Sequence, residues 1–369
     1  MNNEVPRSSL RPVQVATPER TSVLLDVSDL QVEFRSREGN VRVLRGVDLE
    51  LRGGETLGIV GESGCGKSMT ARAVLGIVPS PGRVTGGRIT YHPTDGAQVE
   101  ITGLPEDGEK IRRIRGGQIG MIFQEPMASL SPVHTVGNQI MEAISLHVVR
   151  DRSEARRRAI EALRMVGIPN PARRIDDYPF QLSGGMRQRV MLAMAIACEP
   201  RILLADEPST ALDVTTQAQI LALLKRLQRE LGLSVVLITH DLGVIAAMAD
   251  RVAVMYMGRI VEEAPVDLLF SAPRHPYTVG LLNSVPKLGA GGERKLVSIA
   301  GVVPDMRADI RGCAFHPRCE HAVPGLCDAV EPSYYEVDDG HLVRCVMCAD
   351  GEERHAIGAT AYSREVDQA

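Results

Sequence analysis

Residues 61–68, G-E-S-G-C-G-K-S, constrain the fold of this chain more than any other stretch. They follow the short apolar run ETLGIV at 55–60 and precede a run rich in Ala, Val and Leu. A strand, a glycine-rich loop and a helix in this order place successive backbone N–H groups around a bound phosphate. The positive end of the helix dipole adds to that attraction. We therefore predict a phosphate-binding loop composed of Gly61, Glu62, Ser63, Gly64, Cys65, Gly66, Lys67, Ser68 and Met69.

Two side chains of this loop are expected to act on a bound nucleotide. Lys67 can reach the β- and γ-phosphates, and the Ser68 hydroxyl can bind Mg²⁺. Cys65 is interpreted as a small filler of the loop rather than as a reactive thiol.

A second stretch, RILLADEPST at 201–210, supplies the acidic groups that nucleotide hydrolysis needs. Its apolar first half is typical of a buried parallel strand. Asp206 follows at the carboxyl end of that strand, where it can hold Mg²⁺, and Glu207 is placed to orient and deprotonate the attacking water. A further strand, SVVLITH at 234–240, ends in His240, which is expected to contact the γ-phosphate. Apolar residues at helical spacing lie between the two strands, so the pattern predicts a right-handed crossover in a parallel α/β sheet.

The stretch QLSGGMRQRVMLAMAIACEPRILLADEPSTALD at 181–213 resembles the ATP-binding-cassette (ABC) family of P-loop ATPases. Its LSGGM segment is similar to the LSGGQ signature of that family, with Met186 in place of Gln. The resemblance implies that Ser183, Gly184 and Gly185, together with Met186, contact the ATP held by an opposite subunit. One chain alone would therefore not complete a hydrolysis site.

Further positions match landmarks of the ABC family, and their roles are implied by that resemblance. Gln124 in MIFQEP resembles the residue that touches Mg²⁺ and the attacking water, and Asp213 lies in a segment similar to the D-loop. His240 matches the switch histidine. Phe34 matches the aromatic residue that stacks on adenine, with packing in the core as the alternative. The expected catalytic residues, with ATP as the substrate, are Lys67, Gln124, Glu207 and His240, and the expected Mg²⁺ ligands are Ser68, Gln124 and Asp206.

The resemblance also implies the architecture of the chain. The implied architecture is an α/β fold with a P-loop core of the RecA type, an antiparallel β subdomain and a helical subdomain at about 127–185. A small Cys-rich C-terminal extension is expected to follow. The predicted segments are a disordered leader at 1–22, the ATPase at 23–270, the extension at 271–350 and a flexible tail at 351–369.

Two segments narrow the resemblance to the D-type nucleotide-binding subunits of dipeptide and oligopeptide (peptide/nickel) importers. They are FQEPMASLSPVHTVGNQI at 123–140 and RHPYTVGLLNSVPKL at 274–288. Membership implies an ATPase that powers peptide import together with a second ABC ATPase subunit, two transmembrane permease subunits and an extracytoplasmic peptide-binding protein. The alternatives are import of nickel or another small solute, a soluble ABC ATPase acting on nucleic acid or ribosomes, and a redox- or metal-responsive module dominated by the C-terminal region.

Composition bears on several of these alternatives. The formal net charge of -4, from 42 basic and 46 acidic residues, gives no overall basic footprint for nucleic acid. No apolar run approaches the roughly 20 residues of a membrane span, and the polar N-terminus lacks the apolar segment of a signal peptide. We expect a peripheral protein on the cytoplasmic face of the cell membrane, without a nucleic-acid partner.

The cysteines are concentrated near the C-terminus, where five of the seven lie between Cys313 and Cys348. In a protein expected to be cytosolic, such a group favours a metal site over disulfide bonds. Four thiolates suit Zn²⁺ and an iron–sulfur cluster equally by number. The first three cysteines lack the tight pairing of zinc knuckles, which favours the cluster modestly.

The family resemblance adds a ligand set to this expectation. The pattern GCAFHPRC…C…VRC is similar to the C-terminal pattern of peptide-importer ATPases, some of which carry a 4Fe–4S cluster. The implied ligands are Cys313, Cys319, Cys327 and Cys345, which leaves Cys348 as a spare thiol. His316 and His321 lie within the same loop and are the alternative ligands in a Zn²⁺ site.

Overall fold

The computed structural model describes residues 23–37, 39–93, 96–124, 129–210, 212–284, 299–308 and 310–348. The predicted leader at 1–22 and the predicted tail at 351–369 lie outside these residues. The chain divides into two units, one spanning Ser22–Arg259 and the other including everything from Ile260 onward. This division falls earlier than the boundary predicted after residue 270, because Glu262 pairs in a β-ladder with Val343 near the C-terminus.

An antiparallel sheet forms the first part of the Ser22–Arg259 unit. Its strand order is β2-β1-β4-β5, and β1 pairs with both β2 and β4 along most of its length. Alternate residues of β1 are buried, as expected for a sheet with one face on the core. The strands are β1 (Val23–Ser36), β2 (Gly39–Arg52), β4 (Gly82–Tyr91) and β5 (Val99–Glu100).

The second sheet of this unit is parallel and carries the predicted phosphate loop and acidic strand. Its strands are β3 (Thr56–Val60), β6 (Ile119–Ile122), β7 (Ile202–Asp206), β8 (Ser234–Ile238) and β9 (Arg251–Tyr256). The order β9-β3-β8-β7-β6 places β8 between the strand that precedes the loop and the strand that ends in Asp206. Every residue of β3, β7 and β8 is buried, which explains their continuous apolar sequences. The carboxyl ends of these strands meet at one edge of the sheet, and the loops that follow them build the site.

Helices of the same unit cover this sheet and form a separate helical region. They are α1 (Lys67–Val74), α2 (Glu109–Ile114), α3 (Val136–His147), α4 (Arg152–Met165), α5 (Pro171–Arg174), α6 (Gly184–Ile196), α7 (Val214–Leu231) and α8 (Leu242–Met248). One face of α4 is turned to the core, because Ala159 and Leu163 are fully buried, as is Val166 just beyond the helix. Burying a leucine of this kind stabilises the fold by about 1.5–3 kcal/mol. Side chains of Thr135 and Asp151 cap the amino ends of α3 and α4.

The described residues from Ile260 onward include three antiparallel strands and two short α-helices. The strands are β10 (Arg259–Pro265), β11 (Tyr335–Asp338) and β12 (His341–Val343), in the order β11-β12-β10. The helices are α9 (Val266–Ser271) and α10 (Pro276–Asn283). Within the described part of the chain, no helix combines the length and the apolar character that crossing a membrane requires.

Candidate functional site

The predicted phosphate loop connects β3 to α1, with the ammonium group of Lys67 inside it. The Lys67 side chain is buried, and its Nζ donates hydrogen bonds to the carbonyl oxygens of Gly61 at 2.7 Å and Glu62 at 3.0 Å. These contacts hold the positive charge where the loop N–H groups converge. Together, the ammonium group and the N–H groups form a site for an anion.

Two glycines of the loop are required by its geometry. A Cβ atom at Gly61 would collide with the carbonyl oxygen of Met255. Gly66, the residue before α1, has a φ of 111°, a backbone conformation that side chains of L-residues rarely adopt. The Cys65 thiol between them is buried, and burial raises its pKa, which supports the filler role over a reactive thiol.

The two side chains predicted to hold Mg²⁺ lie together. Ser68 Oγ donates a hydrogen bond to Asp206 Oδ1 at 2.8 Å. Asp206 ends β7 and is only 1% exposed, and this burial raises the pKa of its carboxyl group although the Ser68 bond opposes the rise. A hydroxyl and a carboxylate beside a phosphate loop are hard oxygen donors of the kind that Mg²⁺ prefers.

Glu207 brings together the other predicted catalytic residues. Its Oε1 lies 3.0 Å from His240 Nδ1, and its Oε2 accepts a hydrogen bond from Gln124 Nε2 at 3.2 Å. Thr210, a residue that sequence reasoning missed, donates its hydroxyl to the same Oε2 at 2.7 Å. The backbone of Glu207 is in the left-handed region, with a φ of 47°, a costly conformation for a non-glycine residue that is common at functional sites.

The surroundings of Glu207 keep its carboxylate ionised. Burial by itself would raise the pKa of Glu207, but the hydrogen bonds from Thr210 and His240 outweigh it, so the pKa lies below its usual value. The side chain of Glu207 is 12% exposed and that of His240 is 64% exposed. An ionised carboxylate at the rim of a phosphate site can accept a proton from an attacking water.

The predicted signature residues begin α6. The Ser183 hydroxyl caps this helix by accepting from the backbone N–H of Met186 at 3.3 Å, and Ser183 and Gly184 are exposed. Met186 packs against the apolar core of the helical region, which gives a physical reason for Met at that position. Gln188, one turn later, is buried and donates its amide to the carbonyl oxygen of Pro208. The signature helix is thus bonded directly to the segment that carries Glu207.

The remaining two predicted site residues have clear structural contacts. Asp213 caps α7 by accepting from the backbone N–H and the hydroxyl of Thr216, both at 2.9 Å. The ring of Phe34 is half-buried and lies against Gly82, its neighbour on β4. The D-loop role of Asp213 and the stacking of Phe34 on adenine stay predictions. Ala211 of the predicted D-loop lies outside the described residues.

In the other unit, the four predicted cysteine ligands line one small cavity. Its wall is made of His275, Pro276, Cys313, Phe315, His316, Cys319, His321, Cys327, Cys345, Val346 and Met347. Burial raises the pKa of Cys313 and of Cys319 to about 11, so in the absence of a metal these thiols stay protonated at neutral pH. Cys348 is not part of this wall but forms a hydrogen-bonded pair with Cys345, a contact that raises the pKa of Cys345. Among the residues that the structure describes, no three His, Cys, Asp or Glu side chains are arranged to hold a single metal ion, so the metal stays a prediction.

A buried carboxylate beside this cavity was not foreseen from the sequence. Glu262 on β10 is completely buried and accepts hydrogen bonds from the backbone N–H groups of Arg274 at 2.7 Å and His275 at 2.9 Å. Its Oε1 also lies 2.7 Å from His341 Nε2. Burial lowers the pKa of His275 to about 4 although Glu262 opposes the shift, so its imidazole is neutral.

Comparison with known proteins identifies two matching family models. The model described as "ABC transporter" matches residues 44–210, and the model described as "Oligopeptide/dipeptide transporter, C-terminal region" matches residues 261–327. The two matches cover the phosphate loop and the acidic strand in one case, and three of the four predicted cysteine ligands in the other.

Several curated proteins are similar over most of the chain. The "Probable peptide ABC transporter ATP-binding protein y4tR" of Sinorhizobium fredii is 49% identical over 88% of this chain and 95% of its own length. The "Oligopeptide transport ATP-binding protein OppD" of Bacillus subtilis is 47% identical over 88% of this chain and 89% of its own. The "Dipeptide transport ATP-binding protein DppD" of Escherichia coli is 46% identical over 87% of this chain and 96% of its own.

Solved structures are similar to a shorter part of the chain. The ATP-binding cassette MJ0796, solved as a dimer in a post-hydrolysis state bound to ADP and Pi, has a TM-score of 0.58 and 30% identity, over 66% of this chain and 99% of that one. The structure of cbiO1 from Clostridium perfringens, part of the ABC transporter complex cbiONQ, has a TM-score of 0.55 and 27% identity, over 68% of this chain and 91% of that one.

Proposed function

The chain belongs to the ABC transporter family, in the group that carries the oligopeptide/dipeptide transporter C-terminal region, and from that premise we propose that it hydrolyses ATP to power peptide import through separate membrane permeases. Membership in this family and the ABC cassette fold confirm the resemblance found in the sequence. The peptide substrate is supported by relatives whose names describe peptide, oligopeptide or dipeptide transport.

The observation that supports hydrolysis most directly is the group of hydrogen bonds around Glu207. Its carboxylate accepts from Thr210 and Gln124 and lies within hydrogen-bond distance of His240, beside a phosphate loop that holds Lys67. In the proposed step, a water oxygen forms a bond to the γ-phosphorus, the bond from that phosphorus to the bridging oxygen breaks, and Glu207 takes the proton of the water. Ser68, Gln124 and Asp206 would hold Mg²⁺, which neutralises charge on the β- and γ-phosphate oxygens when bound.

The exposure of the signature supports the proposed assembly. Because Ser183 and Gly184 present a helix amino end to the outside of the chain, they are available to the ATP of a second cassette. We place the chain at the cytoplasmic face of the membrane, in a complex with a second ABC ATPase subunit, two permease subunits and an extracytoplasmic peptide-binding protein. Cross-linking of a cysteine introduced at Ser183 to a cassette partner in the presence of ATP tests this arrangement.

The second part of the proposal is a 4Fe–4S cluster in the cavity lined by Cys313, Cys319, Cys327 and Cys345, which we call the thiol cavity. It is supported by four buried or half-buried cysteines on one wall of one cavity and by the unpartnered Nε2 of His275 beside them. Each cysteine of a 4Fe–4S cluster binds a different iron atom, so its sulfurs stand farther apart than those around a single ion. No three His, Cys, Asp or Glu side chains of the described residues are arranged to hold a single ion, and the choice between the cluster and Zn²⁺ is left to the metal analysis. When bound, such a cluster can exchange single electrons or tie the small C-terminal unit together.

Reconstitution of the full importer tests the transport proposal. The chain, its partner ATPase and the permeases are purified together in proteoliposomes, and ATP hydrolysis and solute uptake are measured with peptides, Ni²⁺ and nucleic acid as candidate stimulants. We expect peptide with its binding protein to stimulate both, and a Lys67→Ala complex to show neither. Stimulation by Ni²⁺ alone, or by nucleic acid, would overturn peptide import in favour of those alternatives.

The metal is tested separately, by elemental and sulfide analysis of anaerobically purified chain. About four iron and four sulfide per chain support the cluster. One zinc and no iron would replace it with a zinc site.

A further inference from the structure

His275 is held in place on the wall of the thiol cavity by contacts of both its backbone and its ring. It is the residue before α10, its side chain is 1% exposed, and its ring lies on the wall of the thiol cavity. Its backbone N–H is bonded to the buried carboxylate of Glu262, and its ring packs against Phe315 with centroids 5.8 Å apart. Both ends of the residue are therefore restrained, and the ring cannot turn out to solvent without breaking them.

The hydrogen bond at Nδ1 assigns the tautomer of the ring. Nδ1 accepts from the backbone N–H of Tyr277 at 3.1 Å, so Nδ1 carries a lone pair and no proton. A neutral imidazole with an unprotonated Nδ1 has its proton on Nε2. Nε2–H of His275 is therefore a hydrogen-bond donor, not a metal ligand.

This donor has no acceptor among the residues that the structure describes. Nε2 of His275 is buried and unpartnered, on a cavity wall that it shares with Cys313, Cys319, Cys327 and Cys345. A buried N–H without an acceptor is unfavourable, and native proteins rarely retain one. The acceptors that this wall offers to such a donor are the sulfur atoms of its four cysteines, or the sulfide of a cluster that they bind.

We propose that His275 donates its Nε2–H to a sulfur of the iron–sulfur cluster and raises the reduction potential of that cluster. The inference rests on the cluster proposed above. Hydrogen bonds to cluster or cysteine sulfur stabilise the more negative, reduced state, and they are one of the factors that set cluster potentials. His275 is thus a positioning residue with an electrostatic effect on the cluster, in addition to capping α10.

His316 provides a matched contrast on the same wall. Its Nδ1 lies 3.0 Å from the carbonyl oxygen of Cys313, which can only accept, so Nδ1 of His316 carries the proton. In its neutral form, Nε2 of His316 has a lone pair and cannot donate. The two histidines therefore present opposite chemistry to the cavity.

The test compares His275→Asn with His316→Asn in the full-length, anaerobically purified chain. Asn keeps an oxygen that can cap α10, but it is too short to carry an N–H to the position of Nε2. Potentiometric titration with dithionite and redox mediators, followed by electron paramagnetic resonance, gives the midpoint potential. We expect His275→Asn to lower the reduction equilibrium constant on the order of tenfold, which is 59 mV for a one-electron couple, and His316→Asn to change it much less.

A measurement on the unsubstituted protein covers the case in which His275→Asn loses its cluster. Electron–nuclear double resonance of the reduced, ¹⁵N-histidine-labelled chain should show a proton coupling that disappears in D₂O and a weak nitrogen coupling. A strong nitrogen coupling would make a histidine a ligand and overturn the proposal, as would the absence of any exchangeable proton.

The outcomes separate this proposal from the ones it rests on. Equal shifts in the two variants, or no shift in His275→Asn with its cluster intact, overturn the role of His275 and leave the cluster standing. Absence of iron and sulfide from the parent overturns the cluster and this role together, while peptide-stimulated ATP hydrolysis is measured independently.

Discussion

Two glutamate–histidine pairs in this protein have nearly the same geometry and very different surroundings. In the proposed ATP site, Glu207 and His240 are 3.0 Å apart, and the histidine is 64% exposed. In the C-terminal unit, Glu262 and His341 are 2.7 Å apart and neither side chain is exposed at all. The pair distance alone would not distinguish them.

The partners of each carboxylate explain the difference. Glu207 is bonded by the side chains of Thr210 and Gln124, which can rotate away when a substrate replaces them. Glu262 is bonded by two backbone N–H groups, which cannot leave without unfolding the turn before α10. A carboxylate whose side-chain donors can be replaced by substrate is suited to catalysis. A buried carboxylate whose donors are backbone N–H groups instead stabilises the fold.

The largest effect should come from removing the charge of Glu207, and it should appear in the rate of ATP hydrolysis. Glu207→Gln keeps the shape of the side chain but cannot accept the proton of water, so we expect turnover to fall on the order of 10²- to 10⁴-fold. Phosphate release at saturating ATP measures this, with ATP binding retained. Glu230→Gln on the exposed side of α7 is the control and should keep parental turnover. Equal rates for Glu207→Gln and the parent would remove Glu207 from the role of base.

The next largest effect concerns the buried pair of Glu262 and His341, and we expect it in the free energy of unfolding. Glu262→Ala leaves two backbone N–H groups and His341 Nε2 buried without an acceptor, so the free energy of unfolding should fall by about 3–5 kcal/mol. Chemical denaturation combined with hydrogen exchange of the C-terminal unit measures this loss. The exposed Glu336 offers a control, and Glu336→Ala should change stability by only about 0.5 kcal/mol. A loss no larger than that of the control would mean that Glu262 is not a structural centre.

Substituting His341 and His240, the histidine partners of Glu262 and Glu207, tests the same difference between the two pairs. His341→Ala leaves one Glu262 oxygen short of a donor and should cost about 1–3 kcal/mol of stability. His240→Ala, at an exposed position, should cost only about 0.5 kcal/mol while ATP hydrolysis falls. Thermal or chemical unfolding and phosphate release are measured on both variants. The reverse split between stability and activity would show that the two pairs have been assigned the wrong way round.

The smallest effect should appear in the pH dependence of hydrolysis. The pKa of Glu207 lies below its usual 4.5, so the carboxylate is present above that pH and is lost as the pH falls through its lower folded value. Thr210→Val removes one of the hydrogen bonds that lower the pKa of Glu207 against the effect of burial. The pKa of Glu207 should therefore rise, and the acid side of the pH–rate profile should move to higher pH. At pH 7.5 the variant should remain within about fivefold of the parent, since one hydrogen bond contributes about 1 kcal/mol.

A matched substitution checks the cause. Thr210→Ser keeps the hydroxyl and should keep the parental pH–rate profile at saturating ATP. An unshifted profile in Thr210→Val would mean that this hydrogen bond does not influence the protonation of Glu207.

Residues joined by a short local pattern were predictable from the sequence. The phosphate loop, the buried strand before Asp206 and the helix over 214–231 are where their patterns place them. Thr210 was missed although it lies three residues after Glu207, because a Thr near a turn most often satisfies nearby backbone groups. Glu262 and His341 are 79 residues apart, and no local pattern connects them.

The sequence by itself determined the parallel sheet, the phosphate loop and the likeness to ABC ATPases, because each depends on residues close together in the chain. Only the tertiary structure decided that Glu262 is buried against the backbone N–H of His275, and that the Nδ1 atoms of His275 and His316, on the wall of one cavity, have opposite hydrogen-bonding roles. Whether a carboxylate is catalytic or structural depends on burial and on the identity of its donors. Those are properties of contacts between distant segments, which hydrophobic periodicity and motif spacing do not encode.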